Sequence, residues 1–136
     1  MPDPSLVGKT YAARGQLVDP GRAAQMAQAI SGGDEVAETG SVPPTFAAVY
    51  CLAPTLGQLF ADPEAGINLA GLIHGEQSFE WPEPVRSGDV VDSEAEITSV
   101  EQKRGMTFVG LRVRATRQSD QAVVCEGRSL MIVRGG

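Results

Sequence analysis

The chain has 136 residues, 42% of them hydrophobic and 21% charged, the composition of a globular domain with one self-sufficient core rather than of a disordered chain. Its 11 Lys and Arg stand against 17 Asp and Glu, a net charge of -6. That balance argues against binding nucleic acid or an anionic membrane surface, since both need basic residues to meet phosphates.

The opening stretch MPDPSLVGKTY has no apolar run after a basic start, so no secretory leader is expected. No apolar run nears the ~20 residues of a membrane span. A cytoplasmic protein is the expectation. Lys9 to Val18 reads as a strand. Asp19-Pro20 then reads as a helix N-cap with proline at the first helical position, where its missing N–H costs nothing. The following run places Ala23, Met26, Ala27 and Ile30 on one helical face, and Gly32-Gly33 supplies the stop. The stretch PPTFAAVYCLAPTLGQLFADP is the most apolar helical segment. Phe46, Val49, Tyr50, Leu52 and Ala53 surround its axis, so it is expected to be buried on most sides. Pro54 is expected to break or kink it, with a second short helix from Thr55 to Ala61.

Four strands follow by pattern: Leu72 to Trp81, Val90 to Glu101, Met106 to Thr116 and Ala122 to Val133. The last three alternate apolar with charged residues, as strands with one dry and one wet face do. The turn QKRG is short enough to close a hairpin and to bring Glu94 and Glu96 beside Arg112 and Arg114. A helix lying across the dry face of this meander makes an α+β architecture, with residues 1–136 as one domain. Such a sheet has open edges, and burying one against a second copy would complete a continuous sheet.

Few residues can carry chemistry. The two cysteines, Cys51 and Cys125, sit in apolar runs without metal spacing and read as buried free thiols in a reducing compartment. One histidine cannot assemble a metal site, and no nucleophile elbow is present. No metal and no cofactor are expected. The acid/base candidates are Asp34, Glu35 and His74. Asp34 lies between two helical runs, as a general base or as an exposed turn residue. His74 opens its strand, as a general base or substrate donor or as a structural histidine; strict alternation puts it on one face with Glu76, Ser78 and Glu80, opposite Gln77, Phe79 and Trp81.

Three segments, LVGKTY, PPTFAAVY and above all HGEQSFEWPEPVRSGDVV, resemble the MaoC-like dehydratases, in the branch known as the FAS1-like or N-terminal MaoC dehydratase domain. The resemblance runs over nearly the whole chain. It implies a hot-dog fold, a curved antiparallel sheet wrapped around a long central helix. It also implies work on acyl thioesters of coenzyme A or an acyl carrier protein, adding water to a trans-2-enoyl thioester or removing it from a (3R)-3-hydroxyacyl thioester. Active members carry an Asp, then Asn-Pro, then a His before the central helix. Here Asp34 resembles the Asp, and no Asn-Pro and no histidine follow it. Pro44, Thr45, Phe46 and Tyr50 stand where the resemblance places the substrate wall and its backbone donors.

Three functions stay open on this reading. The chain is an acyl-thioester-binding subunit that needs an Asp/His-bearing MaoC-like partner, a self-sufficient hydratase or thioesterase using Asp34 or His74, or a non-catalytic hot-dog dimer. A homodimer or a heterodimer with a catalytic MaoC-like subunit is expected in each case.

Overall fold

The computed structural model describes residues 2–31 and 42–134. Five antiparallel strands form one sheet in the order β1-β3-β4-β5-β2, with β1 at Thr10–Leu17, β2 at Leu72–Glu80, β3 at Val90–Lys103, β4 at Met106–Arg117 and β5 at Val123–Arg134. The long central strands follow from alternation. On β3, Val91, Ser93, Ala95 and Ile97 point inward, and on β4, Val109, Leu111, Val113 and Ala115 do the same; all are buried. The hairpin between them turns on Arg104 and Gly105, both with positive φ, 53° and 76°. Two left-handed residues give the mirror-image turn whose twist matches that of paired strands. It sets Glu96 opposite Arg112 and Glu94 opposite Arg114, the expected register. Arg112 bridges Glu96 at 3.2 Å, whereas Arg114 turns to Glu126 on β5 at 3.0 Å.

Helix α1, Pro20–Ile30, starts where expected. The Asp19 carboxylate accepts from the Gly21 N–H at 2.9 Å, and proline follows at the first position. Ala23 is buried and Met26 and Ala27 half-buried, but Ile30, expected on the same face, is 65% exposed. The helix's last turn has left the core by then. Gly32 and Gly33, the expected stop, lie outside the described residues.

The central helical run is continuous from Pro44 to Ala61: a 3-10 turn at Pro44–Phe46, a π segment at Ala48–Leu52 and the α-helix α2 at Ala53–Ala61. Pro54 does not break it. In the π segment the Ala53 N–H reaches back five residues, to the Ala48 carbonyl. Pro54 has no N–H for the Tyr50 carbonyl four residues back, and the Ser93 hydroxyl donates to that carbonyl instead, at 2.7 Å. The run packs against β1, β3 and β4. Its buried side chains are Phe46, Ala47, Tyr50, Cys51, Leu52, Thr55, Leu56 and Leu59, while Ala48, Ala53 and Gly57 face outward. The helix is therefore buried over one broad side, and Ala53 is not part of it. A curved antiparallel sheet wrapped on a central helix is the hot-dog fold. No helix among the described residues is long and apolar enough to cross a membrane.

Two polar ties close the ends. Lys9 on the approach to β1 bonds Asp62 at 2.6 Å and Glu64 at 2.7 Å, and the Tyr11 hydroxyl donates to Asp62 at 2.6 Å. They pin β1 to the end of α2. At the other end the Ser-Gly-Asp turn has a structural task. Gly88, with φ 89°, donates to the Val18 carbonyl, and the Val18 N–H returns to Asp89, both at 2.8 Å. The Arg117 guanidinium then holds the loop, donating to the Pro84 carbonyl at 3.0 Å and to Asp89 at 3.2 Å.

Candidate functional site

The sequence candidates fall into two places. Pro44, Thr45, Phe46 and Tyr50 are at the start of the central helix; His74 is on β2. Asp34 and Glu35 lie outside the described residues.

At the helix start, Pro44 and Thr45 are exposed, and Phe46 and Tyr50 are each only 2% exposed. Their rings pack with centroids 6.3 Å apart and tilted by 39°. The Thr45 hydroxyl lies 3.7 Å from the Met26 sulfur and ties this corner to α1. Pro44 has no N–H. The Phe46 N–H returns to the Pro43 carbonyl at 2.9 Å, and that of Ala47 to the carbonyls of Pro44 and Thr45. Among the described residues, the Thr45 N–H is the one donor of this first turn that meets no acceptor. A free N–H at a helix start is a donor for a developing negative charge.

Beneath this corner the titratable groups are closed off. Burial raises the Tyr50 phenol well above its ordinary range, and the Trp81 indole, as a hydrogen-bonding neighbour, opposes that rise. Hydrogen bonding with Cys125, followed by burial, pushes the Cys51 thiol far up. Both cysteines are free and fully buried. The same bond lowers the Cys125 thiol, but with both sulfurs fully buried neither is accessible as a nucleophile. Among the described residues no group of three or more His, Cys, Asp or Glu side chains converges as a metal site would.

His74 is held differently from the strict-alternation expectation. The β2–β5 register shifts between His74 and Glu76, so Gly75 is an extra residue, a β-bulge. The bulge turns His74 to the inner face, with Gln77 and Phe79, and away from Glu76, Ser78 and Glu80. His74 sits opposite Met131, and Gln77 opposite Ser129. The three polar side chains form a short network. The Gln77 amide nitrogen donates to the Ser78 carbonyl at 3.0 Å. A carbonyl only accepts, so the amide oxygen must face the other way, where it accepts from the Ser129 hydroxyl and from His74 Nε2, the latter at 3.0 Å. In the neutral imidazole this contact puts the ring proton on Nε2 and leaves Nδ1 as an acceptor. Gly127 makes room for this arrangement: a Cβ there would lie 2.8 Å from the Phe79 ring and 3.2 Å from the Gln77 amide nitrogen. Sequence patterning missed this network because a one-residue bulge reverses every face assignment before it. The glycine at position 75, inside an otherwise regular strand, was its signal.

The two places are well apart. Trp81 follows the end of β2 and neighbours Tyr50, whereas His74 is seven residues earlier on an extended chain, roughly 20 Å along the strand. The described residues do not bring His74 to the helix start of the same chain.

A family model described as FAS1-like, dehydratase domain region, matches residues 35–126. A UPF0336 protein of Thermobifida fusca is 30% identical over 93 residues, covering 68% of this chain and 60% of that protein. The chain thus spans about six-tenths of the length of this curated relative. Among solved structures, the C-terminally truncated HadBC (3R-hydroxyacyl-ACP dehydratase) complex of Mycobacterium tuberculosis superposes with a TM-score of 0.74 at 19% identity, over 93% of this chain and 96% of that one. The MaoC-like dehydratase of Rhodospirillum rubrum gives a TM-score of 0.65 at 14% identity, over 96% and 93%. At these identities the structural likeness speaks for the fold.

Proposed function

The chain belongs to the FAS1-like dehydratase domain family, and from that premise we propose that it is the acyl-thioester-binding subunit of a (3R)-hydroxyacyl dehydratase or enoyl hydratase, whose proton transfers are completed by a catalytic partner chain. The observation that carries this reading is the place of its single histidine. His74 lies on the edge strand, roughly 20 Å along β2 from the residue that meets Tyr50. No other histidine exists in the chain to serve the helix start.

The chemistry divides accordingly. Dehydration removes the Cα proton of a (3R)-3-hydroxyacyl thioester, develops enolate-like charge on the thioester oxygen, and expels the 3-hydroxyl with a proton as water. In this reading the Thr45 N–H holds the developing oxyanion, and the exposed Pro44 and Thr45 are the wall beside it, over the packed Phe46 and Tyr50 rings. A second group must give and take the protons. Asp34 is the acid of this chain that stands where the family resemblance puts the catalytic carboxylate. Asp34 has no histidine of this chain to work with, and the Asp/His pair that moves the protons comes from the partner. The fold shared with the HadBC (3R-hydroxyacyl-ACP dehydratase) complex supports the dehydratase reading. The carrier is coenzyme A or an acyl carrier protein, and the working unit is a dimer, most simply a heterodimer with a MaoC-like subunit.

The test is hydration of crotonyl-coenzyme A by the purified chain, alone and co-expressed with a MaoC-type chain bearing the Asp/His pair. Activity on co-expression only, with crotonyl-coenzyme A binding lost in Thr45→Pro, is expected. Activity of the chain alone that disappears in Asp34→Asn would overturn the proposal.

A further inference from the structure

The sheet ends at two edges, β1 and β2, and they are not alike. β1 is interrupted by a register shift between Ala13 and Gln16, with Gly15 at φ 67°, and its inner face is covered by α2. Irregularity of that kind blunts an edge. β2 runs in regular register from Glu76 to Glu80, and no backbone bond reaches its outer edge among the described residues. The central helix packs chiefly on β1, β3 and β4. The inner face of β2 is left with His74 exposed, Gln77 and Phe79 half-exposed, and Trp81 exposed just beyond it.

The outer face of that regular segment is acidic. Glu76 and Glu80 are exposed, with Ser78 between them, and neither glutamate has an ion-pair partner among the described residues. Glu80 faces Glu126 across the ladder, and the charge of Glu126 is already met by Arg114. Arg128, opposite Ser78, is one strand further in and pairs with neither.

Antiparallel pairing of β2 with a copy of itself keeps like faces together when its two-fold axis passes through a residue. An axis at Glu76, Ser78 or Glu80 sets a glutamate directly opposite a glutamate. An axis at Gln77 or Phe79 sets glutamates on the diagonal. Neighbouring strands are about 4.8 Å apart, so like charges in these positions repel at short range. A strand with lysine or arginine on the same face would be attracted in every one of these registers.

We propose that the β2 edge is a charge-selective pairing surface, which accepts the edge strand of a second hot-dog chain with basic residues on its outer face and disfavours a second copy of this chain. The inference rests on the subunit reading above and names the chemistry of the partner it requires. It makes the choice between homodimer and heterodimer an electrostatic one, set by two exposed side chains rather than by the core.

The probe partner is a charge-reversed copy of this chain, Glu76→Lys with Glu80→Lys. Both positions are exposed, so the copy is expected to fold, with far-ultraviolet circular dichroism as the check. Native mass spectrometry and sedimentation of wild type, reversed copy and their mixture read the pairing. The mixture is expected to form the mixed dimer at least about tenfold more tightly than either chain forms its own. Added salt should narrow that gap by screening. Glu76→Gln with Glu80→Gln should pair with itself better than wild type does. A wild-type homodimer as tight as the mixed dimer and unmoved by salt overturns the proposal. Crotonyl-coenzyme A titrated into the same samples reads the functional reading separately. Charge-selective pairing without thioester binding would remove that reading and leave the edge inference standing.

Discussion

Ser93 on β3 donates its hydroxyl to the carbonyl of Tyr50 at 2.7 Å, and this bond lets a proline sit inside the central helix. Pro54 removes the N–H that would have met that carbonyl, and the acceptor is buried, where an unmet group costs about 1–3 kcal/mol. Ser93 is itself only 1% exposed. Ser93→Ala is expected to lose about 1–3 kcal/mol in urea unfolding. Pro54→Ala restores a donor, so the double variant should be less destabilised than the sum of the single changes. Strict additivity in that cycle would mean the two residues do not share the acceptor.

The β3–β4 turn holds a removable strain. Arg104 adopts φ 53°, a left-handed conformation that asparagine tolerates far better. Arg104→Asn should raise stability by roughly 0.5–1 kcal/mol, read as a higher midpoint with an unchanged denaturant slope. An unchanged or lower midpoint would show that the turn is not strained.

The Lys9–Asp62–Tyr11 tie makes stability pH-dependent at both ends of the scale. Lys9, then Tyr11, hold the Asp62 carboxyl down to about 2 from its ordinary 3.8. A depressed acid contributes stability that is complete above its unfolded value and is lost as pH falls from about 4 towards 2. Tyr11 is pushed up to about 12, by burial and then by its bond to Asp62. Its contribution is complete below about 10 and is lost as pH rises towards 12. Wild type should therefore lose melting temperature faster than Asp62→Asn on acidification through the lower window. Parallel acid curves for the two proteins would exclude the tie as the cause.

The His74–Gln77–Ser129 network has a spectroscopic signature. Nitrogen-15 NMR of neutral His74 should report the proton on Nε2 and an unprotonated Nδ1. Gln77→Leu removes the acceptor and should shift the tautomer populations towards those of free imidazole. A dominant Nδ1–H form in the wild type would contradict the assignment.

Gly127 is expected to tolerate no side chain. Gly127→Ala would drive its Cβ against the Phe79 ring and the Ser78 backbone, so β2 must move off β5. A loss of about 1–3 kcal/mol is expected, together with faster amide exchange along β2 than along β4. Uniform exchange rates in both strands would place the damage elsewhere.

Much of the architecture was legible in residue order. The last three strands were readable because one face of each is dry, and alternation is the direct imprint of a face. The hairpin at Arg104-Gly105 was readable because a two-residue turn fixes its own register. The α1 cap at Asp19-Pro20 was equally local. The family, too, was present in the short blocks around Pro44 and His74.

Other features depend on partners distant in the chain, and local patterning carries no trace of them. Pro54 reads as a helix breaker until Ser93, 39 residues later, meets the carbonyl it frees. His74 reads as a companion of Glu76 until the register with Met131 and Leu130 exposes the bulge at Gly75. Ile30 reads as a core residue until α1 turns out to leave the core before its last turn. The chain's own residues determined which segments alternate, which turn and which carry charge, because those depend on neighbours within a few positions. Tertiary structure alone decided which face His74 joins, how the helix survives Pro54 and which edge stays open, because each is settled by contact between strands and helices far apart in the chain.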